Sequence, residues 1–166
     1  MEHLYWHKPR LTISTPKIKG LPDDHRSKPG CLYQLSRLFV SVGNRAEQKQ
    51  LLVRALTIWR ERGSDRDVAS ALMELSGVNQ ATGLHKERIQ QAKEASEILE
   101  RLSDTGSQAQ CLINLAHLLR SDNQLDAAEE VALRAINLLP EKGKEFRVCE
   151  SHRALGHIYQ DRKSVV

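Results

Sequence analysis

The side chains of this 166-residue chain best suited to holding a metal ion or attacking a substrate are seven histidines and three cysteines. His3 and His7 stand four residues apart, so on a helix both imidazoles would face one ion, but no third ligand lies near them and a zinc site needs at least three. His152 and His157 are five apart and do not share a face. Cys31, Cys111 and Cys149 are an odd, scattered set, which suits a reducing compartment better than a disulfide framework. Glycine-rich phosphate loops, paired-histidine metal helices and nucleophile elbows are absent from the sequence. The residue types therefore predict no catalytic residue, no metal site and no cofactor, and an enzyme is not expected.

The elements that carry these side chains repeat. Shifting the sequence by forty residues aligns it with itself without a gap, and such self-similarity marks a repeat architecture. CLYQLSRLF, ALMELSGVN, CLINLAHLL and SHRALGHIY, starting at Cys31, Ala71, Cys111 and Ser151, superpose. Leu35, Leu75, Leu115 and Leu155 coincide, each followed by a small residue: Ser36, Ser76, Ala116 and Gly156. Later in the frame come Leu52, Ala92 and Ala132, then Ala55, Ala95 and Ala135, then Ile58, Ile98 and Leu138. Separations of three and four residues trace one face of an α-helix, so each unit predicts a helical hairpin whose small residues let two backbones approach. Gly43, Gly83 and SDNQ supply turns between the two helices, and Pro140 ends the last of them. Cys31 and Cys111 fall two units apart, about 20 Å in a stack of helices, beyond disulfide reach.

The third unit, with Leu112, Leu115, Ala116, Leu119, Ala128, Ala132, Ala135 and Pro140, resembles a tetratricopeptide repeat, and the resemblance extends over about residues 31 to 163. It implies an all-α fold, a right-handed α-solenoid of hairpins over residues 31–63, 68–103 and 107–143 with a half unit over 145–163, preceded by an N-terminal extension or linker over 1–30. A forty-residue period exceeds the family's usual unit, so RGSDRD, LSDTGS and EKGKEF are expected to form longer turns between repeats. YWHKPR, DAAEE, LLPEKG and HRALG further resemble the C-terminal repeat arrays of fungal nucleotide-binding receptors with a NACHT module.

The resemblance also implies a function: a non-catalytic interaction module in which the first helices line a concave groove for a partner peptide or helix. Carried over by position, the groove residues are Tyr33, Arg37, Met73, Gln80, Gln110, Ile113, His117, Arg120, Arg153 and His157, with Val40 and Gln160 beside them. Arginines there would receive an acidic or carboxylate-bearing peptide as bidentate donors. The lysines of the family's chaperone-tail clamp are missing from the matching places, which argues against that ligand.

Composition sets the remaining bounds. Hydrophobic residues make up 40% of the chain and aromatic ones only 4%, which favours helices over a β-sandwich. Of the net charge of +4, residues 1–30 supply +3, so the repeats carry a nearly balanced surface and nucleic-acid binding is not expected beyond weak contact through the basic extension. No uncharged stretch is long enough to cross a membrane and no secretion signal opens the chain, so an intracellular, cytoplasmic protein is expected. Leu155, Ile158 and Tyr159 lie on a first helix with no second helix after it. Two expectations follow: a truncated repeat fragment without independent function, or self-association through the uncapped C-terminal helix.

Overall fold

Among the described residues, four in the left-handed region punctuate the chain at positions that repeat with the sequence: Gly43 (φ 72°), Gly63 (65°), Ser103 (54°) and Asn123 (57°). Each follows a helix end, and each turn closes the same way. The amide after it reaches back five residues to a carbonyl, Asn44 to Phe39, Ser64 to Trp59, Asp104 to Leu99 and Gln124 to Leu119, at 2.9–3.1 Å. These bonds satisfy carbonyls that a helix end leaves open, and the left-handed residue is what lets the backbone turn back to make them.

The computed structural model describes residues 20, 22, 24–78, 84–139 and 145–164. Among them run seven helices and no strand: α1 (Lys28–Ser41), α2 (Arg45–Glu61), α3 (Asp65–Val78), α4 (His85–Arg101), α5 (Thr105–Ser121), α6 (Leu125–Leu138) and α7 (Glu145–Ser164). Helices α1–α2, α3–α4 and α5–α6 form hairpins, each packed on the next, and α7 lies against α5 and α6. This is an all-α repeat solenoid. His3, His7, Gln80, Gly83 and Pro140 lie outside the described residues.

The turns between hairpins correct one expectation. Residues 62–64 and 102–104 are as short as the turns inside hairpins at 42–44 and 122–124, so the extra length of the period does not go into these loops. It goes into the helices, since α2, α4 and α5 are each 17 residues long. Helices α1, α3 and α5 begin at Lys28, Asp65 and Thr105, two or three residues before the repeat units as read from the sequence, and α7 begins at Glu145. Pro29 sits in the first turn of α1, where its missing amide costs nothing, and α1 therefore starts inside the stretch expected as linker. The Asp104 carboxylate accepts the Ser107 amide at 3.1 Å and Asn44 accepts that of Glu47 at 3.1 Å, capping α5 and α3's predecessor α2.

Packing follows the small-residue code. Ser36, Ser76 and Ala116 on first helices and Ala55, Ala95 and Ala135 on second helices are all buried, alongside Leu35, Leu75 and Leu115. The two serines stay satisfied inside the core by donating to carbonyls one turn back, those of Tyr33 and Met73, at 2.6 and 2.7 Å. Buried Cys111 likewise directs its Sγ to the Ala92 carbonyl at 3.2 Å, and burial pushes its pKa up to about 12.

Helix α7 is covered where it was expected to be open. Ala154, Leu155 and Ile158 are buried against the preceding hairpin, and only Tyr159 keeps 43% of its surface exposed. Tyr159 donates its hydroxyl to Glu129 at 2.6 Å, Arg162 pairs with Asp126 and Glu129, and Arg120 pairs with Asp161 at 2.8 Å. On this helix exposed His152 stands where the other first helices bury Leu32, Leu72 and Leu112, and exposed Gly156 stands where they bury a small residue. Leu155 and Ile158, two of the three side chains expected to be left open on this helix, are thus packed into the array.

Candidate functional site

A concave cavity of about 550 Å³ runs across α1, α3 and α5, the first helices of three successive hairpins. Tyr33, Met73 and Leu99 give it apolar walls, and Glu74, Gln110 and Asn114 give it polar ones. A second hollow of about 260 Å³ continues it between α3 and α5 toward Arg88 and His117, and the two meet at Met73, Gly77 and Asn114. Gly77 is what keeps this junction open: a Cβ there would meet nothing within 4 Å, so the space beyond it is empty rather than filled by a neighbour.

Local packing positions the lining. The Tyr33 ring meets Trp59 of α2 edge-on, centroids 5.5 Å apart at 62°, which fixes Tyr33 at the groove wall. Burial and the adjacent Glu74 carboxylate raise its pKa above the ordinary value. Arg88 reaches from the start of α4 to the end of α3, where its Nε donates to the Ser76 carbonyl at 2.7 Å, and burial lowers its pKa. His117 is held below its ordinary pKa first by burial and then by the charges of Arg120 and Arg153 and by His157. The C-terminal end of the surface is therefore a cluster of two arginines and two histidines contributed by α5 and α7.

The positions inferred from the sequence that the structure describes divide into four groups. Tyr33, Met73 and Gln110 line the larger cavity and His117 lines the smaller one. Arg37 and His157 are exposed near its two ends, and Arg37 has no ion-pair partner among the described residues. Ile113 does not belong to the groove: it is 1% exposed and packs in the core with Leu155 and Ile158, because α7 crosses over α5 there. Arg120 and Arg153 are engaged by carboxylates, Asp161 and Glu150, both at 2.8 Å. Asp161 lies a whole repeat away from Arg120, outside the positions taken as groove neighbours.

Gly77 lines both hollows and was not among the inferred positions. Gly77 occupies the same register as Arg37, His117 and His157, but having no side chain it offered no chemistry to notice. Glu74 and Asn114, which stand at the places matching the family's carboxylate clamp, line the larger cavity as well. Among the described residues no group of three or more histidines, cysteines and acids is placed to hold a metal, and no helix is long and apolar enough to cross a membrane.

Fold and groove together define an all-α repeat scaffold whose first helices line a concave surface. Residues 108–138 match the family model of the tetratricopeptide repeat, which places that repeat on the third hairpin. The crystal structure of BtubC (BKLC) from P. vanneervenii superposes with a TM-score of 0.76 at 21% identity, over 87% of this chain and 60% of that one. A kinesin light chain-like protein of Podosopora anserina with nearly identical TPR-like repeats gives a TM-score of 0.74 at 19% identity, over 90% of this chain and 74% of that one. At these identities the likeness is one of fold, and the chain spans less than two thirds of the length of BtubC. No curated protein sequence matches the chain. The array is thus a tetratricopeptide-type solenoid; such repeats generally mediate protein–protein interaction and such scaffolds are generally non-catalytic. The resemblance to receptor arrays with a NACHT module has no counterpart in these two structures.

Proposed function

We propose that this chain is a protein-interaction module that holds a peptide or helix of a partner in the concave groove. The observation that carries the reading is a hollow spanning three hairpins, in which Gln110 and Asn114 stand beside the apolar Tyr33 and Met73, with Gly77 leaving its centre vacant. A bound segment would place an apolar side chain between Tyr33 and Met73 and direct its backbone polar groups to Gln110 and Asn114, whose amides both donate and accept. An acidic residue on that segment fits best at the α1 end, where Arg37 accepts a carboxylate without giving up an existing ion pair; at Arg120 or Arg153 it would have to displace Asp161 or Glu150.

The test is to pan a random peptide library against the whole chain and measure the selected peptides on two variants. Gly77→Arg fills the groove from an exposed helical position without touching the core, whereas Val53→Glu alters the exposed surface of α2. The expected result is loss of binding with the first and retention with the second. Peptides that bind Gly77→Arg as well as the parent would place recognition elsewhere and overturn the reading. Affinity for nucleic acid that falls steeply with salt, in the absence of any selected peptide, would favour the basic N-terminal extension as the binding element.

A further inference from the structure

The repeat provides its own standard for the buried position near the start of each second helix, and α4 departs from it. That position is Gln48 in α2, Arg88 in α4 and Ala128 in α6, which are 2%, 6% and 0% exposed. Alanine fills it without a polar side chain and glutamine without a charge, so packing does not call for an arginine. Burying a guanidinium is costly unless an acid stands opposite it. Among the described residues no carboxylate pairs with Arg88, and burial alone lowers its pKa. The sequence between α3 and α4, NQATGL, contains no acid either. The Ser76 carbonyl takes Nε at 2.7 Å, and the two terminal nitrogens have no hydrogen-bond partner among the described residues.

We infer that the smaller hollow is a carboxylate site anchored by Arg88 and, resting on the groove's role as a peptide site, that it reads an acid of the bound segment. Its described lining includes no acid; the polar members beside Arg88 are Asn114, His117, Ser76 and Ser121. Both serine hydroxyls already donate to carbonyls, of Met73 at 2.7 Å and His117 at 2.9 Å, which leaves the Asn114 amide and the His117 ring as further donors. The two terminal nitrogens of a guanidinium present parallel N–H groups that match the two oxygens of a carboxylate. At about 260 Å³ the hollow is smaller than the roughly 300–1,000 Å³ of sites that enclose a whole small molecule, so it suits one group of a larger ligand. It opens into the larger cavity at Met73, Gly77 and Asn114, where a bound segment would pass. The Glu74 carboxylate in that cavity repels an acid there and favours it in the inner hollow. Arg37 offers an exposed anchor at the α1 end; Arg88, from a second helix, offers a buried one further along.

Proton–nitrogen NMR of the whole chain, titrated with sodium acetate against sodium chloride at constant ionic strength, tests the site without any peptide. Saturable shifts of the Asn114 side-chain amide and the His117 ring are expected in the parent and not in Arg88→Gln. Glutamine occupies the same position in α2, so this variant should keep the parent's helicity. Asn114→Asp, at an exposed position, gives Arg88 an internal carboxylate and should remove the His117 shift by a second route. Peptides selected on the parent should carry a carboxylate whose loss weakens binding at least about tenfold, and on Arg88→Gln the forms with and without it should bind alike. Exchange of each acidic residue for its amide and amidation of the C-terminus tell a side-chain carboxylate from a terminal one. Acetate that gives no saturable shift, or shifts Arg88→Gln equally, would overturn the inference even if peptides bind the groove, and so would peptides that bind as well without any acid. Saturable shifts that require Arg88, with no peptide bound, would uphold the carboxylate site and refute the peptide reading of the groove instead.

Discussion

Whether α7 is an integral part of the array can be read from one methyl group. Gly156 lies in the interior of this 20-residue helix, fully on its solvent side, with a right-handed backbone and nothing within 4 Å of where a Cβ would stand. Alanine there adds no clash and removes the entropy that glycine loses on folding, a gain of about 0.5–1 kcal/mol. For a chain of this size each kcal/mol moves the melting temperature by about 2–4 °C, so Gly156→Ala should melt about 1–4 °C above the parent. Gly63→Ala is the natural contrast. Its φ of 65° forces alanine into the left-handed region, which costs about 1–2 kcal/mol, so that variant should melt lower. Both are followed by thermal circular dichroism at 222 nm, a far-ultraviolet band that reports helix content. Should Gly63→Ala lower the transition while Gly156→Ala leaves it unmoved, α7 unfolds before the hairpins do, and the argument that its ion pairs and buried leucine bind it to them fails.

Other outcomes follow from the same contacts. Arg120→Ala removes the partner of Asp161 across the α5–α7 contact and should cost about 1 kcal/mol, recovered in part by Asp161→Asn, as a double-mutant cycle would register. Because burial and neighbouring cations disfavour charging His117, the unfolded chain takes up that proton first; stability should fall as pH drops below about 6.5, and His117→Gln should flatten that slope in urea titrations. Cys149 is exposed and Cys111 is buried with its thiol held protonated up to about pH 12, so a thiol reagent at mildly alkaline pH should modify Cys149 first and Cys111 only on unfolding, as peptide mass mapping would show.

The repeat was legible because burial in a stack of hairpins recurs at a fixed interval and leaves Leu35, Ala55 and their counterparts in register. Groove membership was less so, since it depends on which neighbour crosses over a given position. Ile113 shares its register with Tyr33 and Met73, yet α7 closes over it. Ion pairing was illegible for the same reason: Arg120 finds Asp161 forty-one residues away, and no local spacing announces that pair. The length of the period pointed to longer turns because repeat length alone does not say where added residues go; Ser103 and Asn123 could stand in for glycine in the left-handed position, and the helices took up the difference.

The four described turns, three residues each and closed by backbone hydrogen bonds, leave no slack between α1 and α3 or between α4 and α6. Pulled along its length, such a stretch has no loop to straighten, so it can extend only by sliding one hairpin past the next. That sliding is resisted by alanine and leucine contacts and by pairs such as Arg60–Glu94, which links neighbouring hairpins. Each of these two stretches therefore behaves as a short stiff spring whose compliance is set by side-chain packing, and the spacing of the first helices that line the groove is a mechanical quantity as much as a chemical one.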